Sequence, residues 1–143
     1  PGLDGRKMSK SYDNIIALRD EPKAIEAKLR TMPTDPARVR RTDPGDPDKC
    51  PVWQFHKVYS NTDVQDWVRA GCTSAGIGCL ECKQPVIDAV LAELKPIQER
   101  AAAYTGDVAT VRNIVAEGCR RARDVAETTL TEVRSAMGLG YSA

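Results

Sequence analysis

Lys7-Met8-Ser9-Lys10-Ser11 sets two lysines three residues apart, with serines between and after them. Gly2 and Gly5 precede the stretch, so it reads as a mobile loop. Two ammonium groups at this spacing converge when a loop folds over a polyanion. They supply compact charges to phosphate oxygens, and serine hydroxyls and backbone N–H groups add neutral donors. The ligand that suits them is a triphosphate whose charge rises as pyrophosphate departs. On chemistry alone, the same five residues also suit a plain solvated loop.

The second chemical constellation is cysteine. The chain holds five, Cys50, Cys72, Cys79, Cys82 and Cys119. An odd number without a secretory signal favours metal binding over a disulfide framework. Cys79 and Cys82, two residues apart, can ligate one centre. Cys72 reaches that centre through a loop containing Gly76 and Gly78, and Cys50 closes it from just before a predicted helix. Four thiolates without a paired histidine suit a structural zinc or an iron–sulfur cluster, and composition does not choose between them. Cys119 falls on an apolar helical stripe and is assigned to the core. The sole histidine, His56, lies in a predicted helix beside Phe55 and reads as a surface or packing residue.

These residues need a scaffold. The 143 residues are about one domain in length, with 41% apolar residues and a net charge of +1. Such a charge gives no long-range pull on nucleic acid, so any contact must come from local patches. Only seven residues are Phe, Trp or Tyr. A core of Val, Ile, Leu and Ala favours packed helices. No apolar run reaches the eighteen or so residues of a membrane span, and no signal peptide is evident. A cytoplasmic protein with no membrane partner is expected. The chain starts at Pro1 and meets the lysine loop within ten residues, which reads as a fragment.

The periodicity predicts an all-α bundle after an irregular loop at residues 1–19. A helix is expected over 20–32, capped by Asp20, with Ile25, Leu29 and Met32 on one face. Residues 33–51 form a proline-rich connector. A second helix starts at Pro51, and a third is boxed by Thr62 and Gln65 and ends at Gly71. Residues 72–83 look too glycine-rich for a helix. The last third reads as an antiparallel pair over 85–103 and 107–137, with a kink at Pro96 and a frayed tail, "GLGYSA".

"PGLDGRKMSKS" resembles the second signature loop of class I aminoacyl-tRNA synthetases, which closes over ATP during adenylation of the amino acid. Carried across by position, Lys7 and Lys10 are the catalytic phosphate contacts, and Met8, Ser9 and Ser11 complete the ATP-binding loop. "TDPARVRRTDPGDPDKCPVWQFHKVYS" and "GIGCLECKQPVIDAVLAELKPIQERAAAY" narrow the resemblance to the bacterial tryptophanyl enzymes, over nearly the whole chain. The resemblance implies ATP with Mg, tryptophan and tRNA(Trp) as partners, and a homodimeric parent enzyme. The family's nucleotide-binding fold, His-rich signature and tryptophan pocket have no counterpart in these residues. The chain then reads as residues 1–19, the signature loop and its link, followed by residues 20–143, a helical tRNA-facing domain with a cysteine site at 50–82. Alone it is expected to be inactive. Some relatives carry a [4Fe-4S] cluster on four cysteines here. The resemblance therefore assigns Cys50, Cys72, Cys79 and Cys82 to such a cluster, with zinc as the alternative and a first gap one residue shorter than the family's.

Arg38, Arg40 and Arg41 are candidates for tRNA phosphates or anticodon bases, against an alternative in which they pair with Asp35, Asp43 and Asp46 to brace the connector. Lys83 and Gln84 are weaker candidates for reading anticodon base edges. Arg120, Arg121 and Arg123 read as a solvated helix face, and Trp53 and Trp67 as packing residues. Three competing readings are a stand-alone cysteine-metal RNA-binding module, a structural zinc domain and a fragment of a tyrosyl enzyme.

Overall fold

The computed structural model describes residues 1–139, and those residues are helical or irregular throughout. Five helices follow the opening loop: α1 (Pro22–Thr31), α2 (Pro51–Tyr59), α3 (Thr62–Thr73), α4 (Cys79–Thr105) and α5 (Val108–Ala136). Residues 140–143, most of the tail expected to fray, lie outside the described residues. The chain divides into two compact units, Pro1–Gln98 and Glu99–Ala143, so the division falls inside α4.

In the first unit, Ile25, Leu29 and Met32 from α1 and its C-terminus meet Val52 and Phe55 of α2 and Val86, Ile87, Val90 and Leu94 of α4. These are the apolar stripes expected from the 3.6-residue period. A smaller cluster joins Trp53, Val68 and Ile77, with Cys50 and Cys82 against it. Both tryptophans are expected to pack. Trp53 is buried, whereas Trp67 is 41% exposed.

Helix ends depart from the periodic reading in three places. Glu21, not Asp20, precedes α1, and it makes no side-chain cap. The Asp20 carboxylate instead accepts from the Ala17 N–H and from Lys28 Nζ at 2.7 Å. Asn61 caps α3 by accepting from the Val64 N–H, while Gln65 reaches back to the Ser60 carbonyl. The largest difference lies at residues 72–83, expected as a loop. Helix α3 continues through Gly71 to Thr73, and α4 begins at Cys79. Gly71 does not stop its helix. A Cβ there would come within 2.8 Å of the Ile77 side chain, so the glycine admits Ile77 into the smaller core. Glu81 then stabilises the start of α4 by accepting from the Gly78 N–H. Helix α4 runs through both Pro85 and Pro96. Their rings cannot donate to the carbonyls one turn earlier, and the flanking apolar contacts hold the helix regardless.

In the second unit, α5 starts at Asp107, whose carboxylate accepts from the Thr110 N–H and hydroxyl. No residue of α5 is buried. Cys119 is exposed, which corrects its assignment to a core. Its stripe has the right period, but period alone does not say whether a face is covered. The arginine run behaves as a solvated face: Arg120 pairs with Glu117 and Asp124, and Arg121 with Glu117.

Candidate functional site

The lysine loop is built around one buried side chain. Asn14 is 3% exposed. Its Oδ1 accepts from the Ser9 N–H at 2.7 Å, and its Nδ2 donates to Asp4 Oδ1 at 2.8 Å and to the Lys7 carbonyl at 3.0 Å. The backbone joins in, with the Leu3 N–H donating to the Asn14 carbonyl. Gly2 lies so close that a Cβ would sit 2.4 Å from Asn14 Nδ2, so only glycine admits the amide. Asp4 is thereby held ionised. The hydrogen bond from Asn14, with further help from Arg6, lowers its pKa to about 2. Ser9 and Ser11 share a hydrogen bond of 2.7 Å. A short 3-10 turn follows at Lys10–Tyr12 and ends with Asp13 in the left-handed region.

The result is a pinned base and a free crest. Lys7, Met8, Lys10 and Ser11 are exposed, and neither ammonium has a protein partner among the described residues. Sequence reasoning missed Asn14 and Asp4, whose contacts span five to ten residues and follow no period.

The four expected metal cysteines, Cys50, Cys72, Cys79 and Cys82, are all half-buried. Cys50, Cys72 and Cys82 line one small apolar cavity with Trp53 and His56. Burial pushes the Cys82 thiol up to about 12, reinforced by repulsion from Cys50, Cys72 and Cys79. Burial likewise raises Cys50 and Cys72. The raised values keep these thiols protonated and neutral in the metal-free chain, and only a bound cation would bring several of them to the thiolate form together. Cations do face them. Arg38 Nη1 lies 3.9 Å from Cys72 Sγ, and the Lys83 ammonium feels Cys79, Cys50 and Cys82. The Trp53 indole N–H is buried without an acceptor in the same cavity wall. His56 is fully buried, its Nε2 3.5 Å from Cys82 Sγ and its Nδ1 2.8 Å from Ser60 Oγ. It is a packing histidine. The donor set thus fits a metal centre in kind. A coordination shell is another matter: among the described residues, no three His, Cys, Asp or Glu side chains are disposed to hold a metal ion.

The candidate tRNA residues separate. Arg38 is 9% exposed, and its Nη2 donates to the carbonyls of Arg41 and Ile77. Arg40 and Arg41 are exposed. The aspartates of the connector do not pair with these arginines. Asp35 accepts from the N–H groups of Ala37 and Asp46, and Asp43 from the Arg40 N–H. Asp46 caps Asp48 and pairs with Lys49. The connector is therefore braced through its backbone. Lys83 is 4% exposed and faces inward, its ammonium donating to the Arg30 carbonyl at 2.7 Å and to the Met32 carbonyl at the end of α1. Gln84 is exposed and donates to Asp88.

A pinned loop presenting two lysines and two serines at the head of an all-α body has the chemistry to engage phosphate groups. Residues 1–95 match the family described as tRNA synthetases class I (W and Y). The chain belongs to that family. It is 63% identical over 142 residues to the tryptophan–tRNA ligase of Ralstonia nicotianae, covering 99% of this chain and 36% of that protein. To the tryptophan–tRNA ligase of Thermotoga maritima it is 46% identical over 142 residues, covering 99% of this chain and 43% of that protein. In three dimensions it is similar to the tryptophanyl-tRNA synthetase of Campylobacter jejuni, whose crystal structure is complexed with ADP and tryptophan. The TM-score is 0.80 at 25% identity, over 96% of this chain and 43% of that one. The chain spans well under half the length of these relatives. No helix among the described residues is long and apolar enough to cross a membrane.

Proposed function

We propose that this chain is the C-terminal part of a tryptophan–tRNA ligase, which activates tryptophan with ATP and Mg and transfers it to tRNA(Trp). The observation that carries the reading is the free crest of the Lys7–Ser11 loop on its pinned base. In this reading Lys7 and Lys10 meet the phosphates of ATP and stabilise charge as pyrophosphate leaves, while Met8, Ser9 and Ser11 shape the loop. Asn14 positions it. The helices from residue 20 onward face tRNA, with Arg38, Arg40, Arg41 and Gln84 beside the cysteine loop. Lys83 supports that surface from inside. The parent enzyme acts as a homodimer in the cytoplasm. The names of the relatives favour tryptophan over tyrosine, and the lysine loop argues against a stand-alone RNA module or a plain zinc domain. The test is ATP–pyrophosphate exchange by the full-length enzyme carrying this chain. Exchange is expected with tryptophan and not with tyrosine; exchange driven by tyrosine overturns the reading.

We also infer that Cys50, Cys72, Cys79 and Cys82 hold a [4Fe-4S] cluster, with a single zinc as the second reading. A bound metal centre would offset the mutual repulsion that arises once these groups are thiolates, and Arg38 and Lys83 would balance the remaining negative charge. The orphaned Trp53 N–H is a donor of the kind that hydrogen-bonds cluster sulfur. The role is structural, holding the end of α3 to the start of α4. Anaerobic purification with iron, sulfide and zinc analysis decides it. About four irons and four sulfides per chain are expected; one zinc and no colour would make the site a plain clamp.

A further inference from the structure

Among the described residues, the hydrogen bonds of residues 2–14 all close within the lysine loop itself. Asn14 therefore fixes the shape of the loop but not its place on the helices. Gly5 lies near the Pro51 ring, a contact without direction. The first hydrogen bond between this segment and the helical body comes at the residue after Asn14. There Lys28, in the last turn of α1, donates from Nζ to the Ile15 carbonyl at 3.0 Å. The same ammonium pairs with Asp20 Oδ2 at 2.7 Å, and that oxygen also accepts the Ala17 N–H at 2.8 Å. From α4, Gln98 Nε2 donates to the Asp20 carbonyl at 2.9 Å and to the Leu18 carbonyl at 3.2 Å. Residues 15–20 form no helix of their own, yet side chains of two helices clasp their backbone, and Ile16 packs against the main core. The Lys28 and Asp20 side chains are 30% and 22% exposed. A partly exposed ion pair adds little to the stability of a whole fold, so the clasp calls for another reason.

We propose that Lys28 is a positioning residue for the lysine loop: its paired bonds to Ile15 and Asp20 set where Asn14, and through it Lys7 and Lys10, stand against α1. The proposal rests on the reading that the loop serves ATP-dependent activation of an amino acid. Phosphates that engage the crest pull on it, and the pull passes through Asn14 into residues 15–20. Lys28 is the first polar group of the helical body to resist it. Gln98 holds the far end of the link, so the segment swings only by breaking a bond at one end or the other. Lys28 touches the link and not the crest, so its effect on the chemistry is through the backbone.

Two readouts on the full-length enzyme test it. Lys28→Met keeps a long apolar stem and loses both bonds. Arg19 is an exposed residue of the link. Limited trypsin digestion is expected to cut after Arg19 about ten-fold faster in Lys28→Met, the size of one lost hydrogen bond to a charged group. Tryptophan-dependent pyrophosphate exchange at saturating ATP is expected to fall about ten-fold, less than the full effect of misplacing a catalytic group because Gln98 still holds the far end. Lys28→Arg keeps a cationic donor that reaches both acceptors and is expected to bring both readouts to within about three-fold of wild type. A merely structural Lys28 would lower the melting temperature and leave exchange per folded molecule unchanged. Unchanged exchange in Lys28→Met, or a loss that Lys28→Arg does not recover, overturns the proposal while activation by the wild-type enzyme stands. Absence of tryptophan-dependent exchange in the wild-type enzyme overturns both the proposal and the reading beneath it.

Discussion

Lys10→Ala in the full-length enzyme is expected to slow tryptophan-dependent pyrophosphate exchange by about 10²–10³-fold, the range seen when one preorganised donor to developing charge is removed. tRNA binding is expected to stay within about two-fold of wild type, because an exposed side chain of this kind carries little of the fold. Lys10 sits at the head of the short turn that follows the pinned loop, and no carboxylate holds its ammonium among the described residues. In the proposed reading the cation is therefore free to follow the charge that builds on the departing pyrophosphate. Its loss should fall on the rate of adenylation more than on the affinity for ATP, since the charge it answers is largest in the transition state. Single-turnover adenylation at saturating ATP, with tRNA binding measured in parallel, makes the distinction. Unchanged exchange, or an equal loss of tRNA binding, would remove Lys10 from the chemistry.

Asn14→Ala is expected to cost about 10²-fold in exchange, the size associated with misplacing a catalytic group by about 1 Å. The alanine variant loses the bonds to the Ser9 N–H, Asp4 and the Lys7 carbonyl together, so both lysines lose their common base. Asn14→Asp is the sharper probe. It keeps an acceptor for Ser9 but turns a second carboxylate toward Asp4, which is ionised at neutral pH. A merely structural role would lower the melting temperature and leave exchange per folded molecule intact. A positioning role predicts lower exchange at full occupancy of the fold. It also predicts that Asn14→Ala adds little to Lys10→Ala, because the two act as a unit. Full additivity in the double mutant would sink that account.

The residues proposed for the chemistry were legible because their signals are local. The spacing of Lys7, Ser9, Lys10 and Ser11 pointed to phosphate before any fold was considered, and that of Cys79 and Cys82 to a metal centre. The apolar stripes of α1, α2 and α4 were equally plain, since a 3.6-residue period is written in consecutive residues. Three matters were not. Gly71 looked like a helix end until Ile77 was seen against it, a contact that depends on how residues 74–78 return. Lys83 reads as a candidate for anticodon base edges until α4 places it under the carbonyls that end α1. Cys119 sat on a stripe of the right period, yet α5 buries nothing. In each case the deciding neighbour lies outside the window that a local pattern covers.

By itself, the sequence determined that the chain is helical, that two lysines and two serines stand together in one short loop, and that Cys79 and Cys82 lie two residues apart, since these depend on residue type and short separation. Only the tertiary structure decided which polar groups face inward, that Asn14 is the pin of the loop, and that Arg41 meets Glu81 at the start of α4. Those outcomes depend on which distant donors and acceptors are brought within about 3 Å, and a hydrogen bond of that length has no signature in the order of residues along the chain.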